Sequence, residues 1–149
     1  DDSAIDVIEA VTNEATLAVC AEAVGIMQIM TQKTVEYSKS RVQFGVPIGS
    51  FQALQHRMVD MLTACEQSYS LLLWAAMLAA EGSADSARAV SAIKYQVGTA
   101  GKKVGQEAVQ LHGGMGVTWE LDIAHYFKRL TVIGQLFGNA DYHLDRLAS

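Results

Sequence analysis

The sequence predicts an all-α protein, an antiparallel up-down helical bundle, on three observations. Apolar residues recur at three- and four-residue spacing along most of the chain. One proline, Pro47, occurs among 149 residues, alanine is abundant, and strand-like alternation is scarce. The interruptions are short and glycine-bearing, so successive long helices should pack antiparallel.

The first helix is expected over about residues 4–40, with Ile8, Val11, Ala15, Val19, Ile26, Ile29 and Met30 as its apolar residues. The loop Phe44-Gly45-Val46-Pro47-Ile48-Gly49 ends it, and Ser50 is positioned to cap the second helix. That helix has the clearest pattern: Phe51, Leu54, Met58, Met61, Cys65, Tyr69, Leu72, Ala76 and Ala79 follow a 3.5-residue seam. Gly82 is expected as its left-handed stop. Ser83 or Asp85 then caps a third helix with the seam Val90, Ile93, Val97, Ala100, Val104, Ala108 and Leu111. The glycines at 113–116 close it. A shorter helix runs through Tyr126, Phe127 and Leu130, and Gly134, Gly138 and Asn139 bend or break the path to a last helix ending near Leu147.

Composition bounds the function. Residues 1–149 read as one domain with a single core. A net charge of −5 at pH 7 argues against a nucleic-acid-binding face. No run of about 18 apolar residues is free of charges, so no membrane span is expected. The start Asp1-Asp2-Ser3 lacks the basic region of a signal peptide. Cys20 and Cys65 both fall in helical patterns and read as small core residues of a reducing compartment such as the cytoplasm.

Several common sites fail on spacing. Gly98-Thr99-Ala100-Gly101-Lys102-Lys103 has too few residues between its glycines for a phosphate loop and carries lysine where Ser or Thr should hold Mg²⁺. Gly114-Met115-Gly116 meets Trp119 where a dinucleotide fingerprint needs glycine, and no strand precedes it. Asp122 and His125 form a lone pair, and His56, His112, His125 and His143 show no metal spacing, so no metal site is expected. Glu22 lies among apolar neighbours: either burial raises its pKa, or it faces a partner on a neighbouring helix.

Two segments survive. In Ser40-Arg41-Val42-Gln43-Phe44-Gly45, Arg41 can either complement a helix dipole or grip a phosphate through its guanidinium fork. In Gln110-Leu111-His112-Gly113-Gly114-Met115-Gly116, a side-chain amide precedes glycines that leave backbone amides accessible. Together they suggest a site for a phosphorylated cofactor with a polar base.

These residues carry a resemblance. Arg41-x-Gln43-Phe44-Gly45-x-Pro47-Ile48-x-x-Phe51-Gln52, then Gln110-x-His112-Gly113-Gly114-x-Gly116 roughly 65 residues later, then Arg129 ahead of a final helix, resemble the C-terminal domain of the acyl-CoA dehydrogenase family over nearly the whole chain. The resemblance implies a larger flavoprotein subunit with further domains, a homo- or hetero-oligomer (dimer or tetramer), an acyl-CoA substrate and an electron-acceptor protein. It places FAD between domains and across a subunit interface. Arg41 would bind the FAD pyrophosphate, Gln43 would donate a hydrogen bond to FAD, and Phe44 would lie near the flavin. Gln110, Gly113 and Gly114 would contact the ADP part of a neighbouring subunit's FAD.

The implied reaction is α,β-dehydrogenation of an acyl-CoA thioester, in which a glutamate removes the α proton. Most family members place that glutamate about nine residues after the arginine matched by Arg129, where this chain has Gly138. Others place it on the first helix, at the position of Ala15. Glu14 is one residue away, about 100° around a helix, and Asp141 lies in the last helix. Three expectations follow: Glu14 or Asp141 serves as base, a partner subunit supplies it, or the chain is a base-lacking assembly subunit. If Gly138 is a vacated base position, Gly138→Glu is expected to raise turnover.

Overall fold

The computed structural model describes residues 2–148. Five helices account for most of the chain: α1 (Asp2–Ser40), α2 (Gln52–Ala80), α3 (Ser86–His112), α4 (Ile123–Ile133) and α5 (Ala140–Ala148). A two-stranded antiparallel hairpin, β1 (Val42–Gln43) and β2 (Val46–Pro47), joins α1 to α2, with Val42 opposite Pro47 and Gln43 opposite Val46. The sequence reading had only a loop here. Phe44 and Gly45 turn the hairpin with φ of +55° and +82°, the positive pair that a tight two-residue hairpin needs. A 3-10 turn, Ile48–Ser50, follows and displaces the expected cap: the N-cap of α2 is Phe51, and Ser50 Oγ donates instead to the Pro47 carbonyl.

Cross-links fix the directions. Arg57 and Asp60, early in α2, pair with Glu107 and Lys103, late in α3, so these helices run antiparallel. Tyr37 near the end of α1 stacks on His112 at the end of α3, so α1 and α3 run parallel. Phe127 of α4 lies against Gly105, and Ala140 at the start of α5 against Gly98, so α4 and α5 descend antiparallel along α3. The third helix thus packs against every other helix.

The α3 seam is buried at all seven expected positions. In α2, Met58, Met61 and Cys65 are buried as expected, but Tyr69 is exposed and Ser68 is buried in its place. The buried residues Met61, Ser68 and Ala75 keep a strict seven-residue spacing, whereas the expected seam stepped one position forward at Tyr69. The α1 expectation fails at its beginning. Ile8 and Val11 are 66% and 61% exposed, with Ile5 and Val7 alike, because α1 starts well ahead of α3. Its buried residues are Thr16, Cys20, Ala23, Val24, Ile26, Met27, Met30, Thr31, Thr34 and Ser38. By length and composition α1 could cross a membrane, yet these residues sit in the bundle core. Both cysteines lie there too; burial pushes the Cys20 thiol up to about 12 and raises that of Cys65.

Two glycines of the rejected phosphate-loop motif prove to be inside α3. Close helix packing occurs one turn further on: a Cβ at Gly105 would stand 2.6 Å from Phe127 Cδ2, while one at Gly101 would find its nearest neighbour, Leu130 Cδ2, at 3.6 Å. Alanine gains about 1 kcal/mol of helix propensity over glycine, whereas overpacking costs about 1–3 kcal/mol. Gly105→Ala is therefore expected to lower stability and Gly101→Ala to leave it unchanged or raise it. Urea midpoints of the two variants moving in the same direction would refute this.

Candidate functional site

Arg41 follows the last turn of α1, its amide donating to the Tyr37 carbonyl at 2.9 Å. Its guanidinium is exposed and meets no carboxylate among the described residues. Gln43 turns its amide back onto the Val42 carbonyl at 2.9 Å. Phe44 is 92% exposed, edge-on to Phe51. An aromatic ring held so far out of the core by a positive-φ turn is an unusual use of apolar surface in a monomer.

The glycine turn stands at the same end of the bundle. α3 stops at His112, and Gly113, with φ +60°, donates its amide to the Gln110 carbonyl. That backbone favours glycine. A Cβ at Gly113 or Gly114 would meet nothing within 4 Å, so both present open backbone. Gly116 differs: it is buried, and a Cβ there would stand 2.6 Å from the Val109 carbonyl oxygen. Gly116 closes the turn onto α3, while Gly113 and Gly114 face outward. Tyr37 joins the two segments. Its ring stacks on His112 at 4.4 Å and its hydroxyl donates to the His112 carbonyl at 3.4 Å. Its place one helical turn before Arg41 was the signal available in the sequence.

The expected base positions lie elsewhere. The turn between α4 and α5 contacts α3 at Lys94 and Gly98, roughly 22–28 Å along the helix from the glycine turn at 1.5 Å per residue. Within one chain, therefore, the Arg41–Gln110 cluster and the Gly138 turn are separate. Ala15 is half-buried on α1, two turns before Glu22 on the same face; Glu14 and Asp141 are exposed. Glu22 is not a buried carboxylate with a raised pKa. It is exposed and bound at both oxygens by Arg129, at 2.6 and 2.7 Å, which holds its pKa below the ordinary carboxylate value. Arg129 accordingly lies inside α4 rather than at the start of the last helix.

The Gly138 turn is tightly built. Phe137 and Gly138 have φ of +56° and +100°. Lys94, fully buried on α3, donates from Nζ to the carbonyls of Gly138 at 2.7 Å and Gly134 at 3.4 Å. Desolvation lowers its pKa from the ordinary lysine value. A lysine on the core-facing side of α3, four residues after Val90 and three before Val97, was the sequence signal for this role. His143, also buried, holds the Phe137 carbonyl through Nε2 at 2.9 Å. A carbonyl only accepts, so Nε2 carries the proton and Nδ1 is left buried without a partner.

Burial lowers the His143 pKa below 6.5, against the smaller raising effect of the Phe137 carbonyl. As pH falls, the unfolded chain takes up this proton first, so stability present above the unfolded pKa declines as pH drops through about 6.5. His143→Gln is expected to flatten that decline. Melting temperatures measured from about pH 7.5 to 5 with identical slopes in both proteins would exclude His143 as the source.

Comparison with known proteins supplies the family. The family described as "Acyl-CoA dehydrogenase, C-terminal domain" matches residues 5–149. The chain is 40% identical over 139 residues to acyl-CoA dehydrogenase IpdE2 of Mycolicibacterium smegmatis, covering 93% of this chain and 43% of that protein. It superposes on butyryl-CoA dehydrogenase from Megasphaera elsdenii with a TM-score of 0.89 at 28% identity, covering 95% of this chain and 37% of the other. A chain of the ChsE4–ChsE5 complex from Mycobacterium tuberculosis gives a TM-score of 0.86 at 31% identity, over 92% of this chain and 37% of the other. The chain thus spans about two-fifths of the length of the first of these relatives. With its helices and glycine turn in the expected order, it belongs to the acyl-CoA dehydrogenase family, whose C-terminal domain it matches.

Proposed function

We propose that this chain is the C-terminal domain of a larger FAD-dependent subunit that takes part in α,β-dehydrogenation of an acyl-CoA thioester. The observation carrying this reading is the presence, at one end of the bundle, of an exposed Arg41 with no carboxylate partner among the described residues and of open backbone at Gly113 and Gly114. Those residues fit a dinucleotide: a guanidinium suits a pyrophosphate, and bare glycine backbone admits close approach of a polar base or ribose. Arg41, Gln43 and Phe44 would hold one part of FAD, and Gln110, Gly113 and Gly114 the ADP part of a neighbouring subunit's copy. When bound, FAD supplies the acceptor for the β hydride. The exposure of all six residues supports a site completed by another subunit, and the function would be exercised in a dimer or tetramer, in a reducing compartment, with an electron-acceptor protein.

Arg41→Ala in the full-length oligomer is expected to reduce retained flavin by about tenfold or more, the loss of one charge-assisted contact of at least about 1.5 kcal/mol. Unchanged absorbance at the flavin band after gel filtration would remove the phosphate role.

A second reading is favoured by one observation: the Gly138 position has no room for a side chain. A Cβ there would stand 2.3 Å from Tyr142 Cδ1 and 3.1 Å from His143 Nε2. In this reading the chain is a base-lacking subunit of a hetero-oligomeric dehydrogenase and a different chain provides the carboxylate. Glu14 and Asp141 are the alternatives within this chain. Turnover by the homo-oligomer alone, abolished by Glu14→Gln or Asp141→Asn, would reject the hetero-oligomeric reading.

A further inference from the structure

At the opposite end of the bundle from the Arg41 hairpin, a cleft of about 270 Å³ opens between the first turns of α3 and the end of α5, lined by Ala87, Arg88, Ser91, Arg146 and Leu147. We propose that it binds an oxyanion, specifically the phosphate group of a small phosphomonoester. Three independent features converge there. The N-terminus of the 27-residue α3 has no side-chain cap. The Ser86 and Ala89 amides reach the carbonyls of Ser83 and Asp85, while no hydrogen bond engages the amides of Ala87 and Arg88 among the described residues. Open first-turn amides at the positive end of a long helix favour an anion.

The second feature is Ser91. It is 1% exposed, and its Oγ is a buried polar atom with no hydrogen-bond partner. A serine in a helix ordinarily settles its hydroxyl on the carbonyl four residues back, as Ser68 does on Ala64 in α2. Ser91 does not, and a buried hydroxyl left unpaired is costly. As placed, the Oγ is closed off from the cleft that Ser91 lines, and a turn about χ1 would bring the hydroxyl to an oxyanion there.

The third is charge. Arg88 is exposed and has no carboxylate partner among the described residues. Arg146 holds Glu9 of α1 through Nη2 at 2.9 Å, which keeps its guanidinium at the cleft wall. Glu9, bound by Arg146, the α3 N-cap residue Asp85, and Asp145 next to Arg146 in α5 are acids at this end of the bundle. They oppose the two arginines, and this balance selects a compact, strongly accepting group over a diffuse polyanion. A phosphate has the three oxygens needed to meet a hydroxyl, a guanidinium fork and a helix terminus together.

The test is an amide NMR titration of this chain with inorganic phosphate, glycerol phosphate and acetate, each against chloride at matched ionic strength. Saturable shifts of the Ala87 and Arg88 amides with both phosphates, weakened about tenfold by Arg88→Ala and also reduced by Ser91→Ala, are the expected result. Stronger binding of glycerol phosphate identifies the monoester as the ligand class; stronger binding of free phosphate overturns that assignment. Shifts no larger than with chloride, or equal in both variants, overturn the site. FAD content is not part of the readout, so this outcome is separable from the flavin reading.

Discussion

Lys94→Met is expected to lower the unfolding free energy by about 1–3 kcal/mol, because the half-buried Gly138 carbonyl loses its donor, with a smaller loss at Gly134. Methionine matches the lysine in length, so the packing volume is kept and the effect isolates the ammonium. Replacing a buried charge by an apolar group can be neutral when both partners are replaced. Here only one is, and the Gly134 and Gly138 oxygens remain. The exposed Lys103–Asp60 pair, more than half open to solvent on both sides, supplies the contrast: removing it should change stability by no more than about 1 kcal/mol. Chemical denaturation of Lys94→Met and Lys103→Met decides the matter, and equal midpoints would show that Lys94 does not hold the turn.

Gly138→Glu is expected to lower stability by about 2–5 kcal/mol and to give no gain in turnover. A side chain at φ +100° costs about 1–3 kcal/mol, and displacing the Tyr142 ring from a Cβ contact of 2.3 Å costs a similar amount. This reverses the expectation drawn from the resemblance, in which a glutamate restored at this position raised activity. Gly138→Ala separates the two effects, since it carries the Cβ without the carboxylate. If Gly138→Glu is as stable as the parent and gains acyl-CoA turnover in the full-length protein, the turn accommodates a base after all.

The residues that failed sequence reasoning share a cause. Ile8 and Val11 have the spacing of a buried face but stay largely exposed; spacing reports which residues share a face, not whether anything covers it. Glu22 had two readings, burial among its apolar sequence neighbours or a partner on a neighbouring helix, and contacts distant in the chain decided for the second. On α1 it points to Arg129, 107 residues away. Lys94 and His143 carry no motif at all, and their importance comes from carbonyls that the chain brings to them from another turn.

What the sequence determined alone is local. The period of apolar residues, the glycine stops at Gly82 and Gly113, the break between Ile133 and Ala140 and the family motifs all follow from chain geometry over one or two turns. In α3, enclosed by its neighbours, that local pattern was also the buried pattern at each seam position. Tertiary structure decided the rest. It joined the end of α1 to the end of α3 through Tyr37 and His112, and it held the Phe137–Gly138 turn with Lys94 and His143. It also set the Tyr142 ring against the space that a Cβ at Gly138 would fill. These outcomes depend on contacts between residues distant in the chain, where packing and the need to satisfy buried polar groups override any preference read from neighbours.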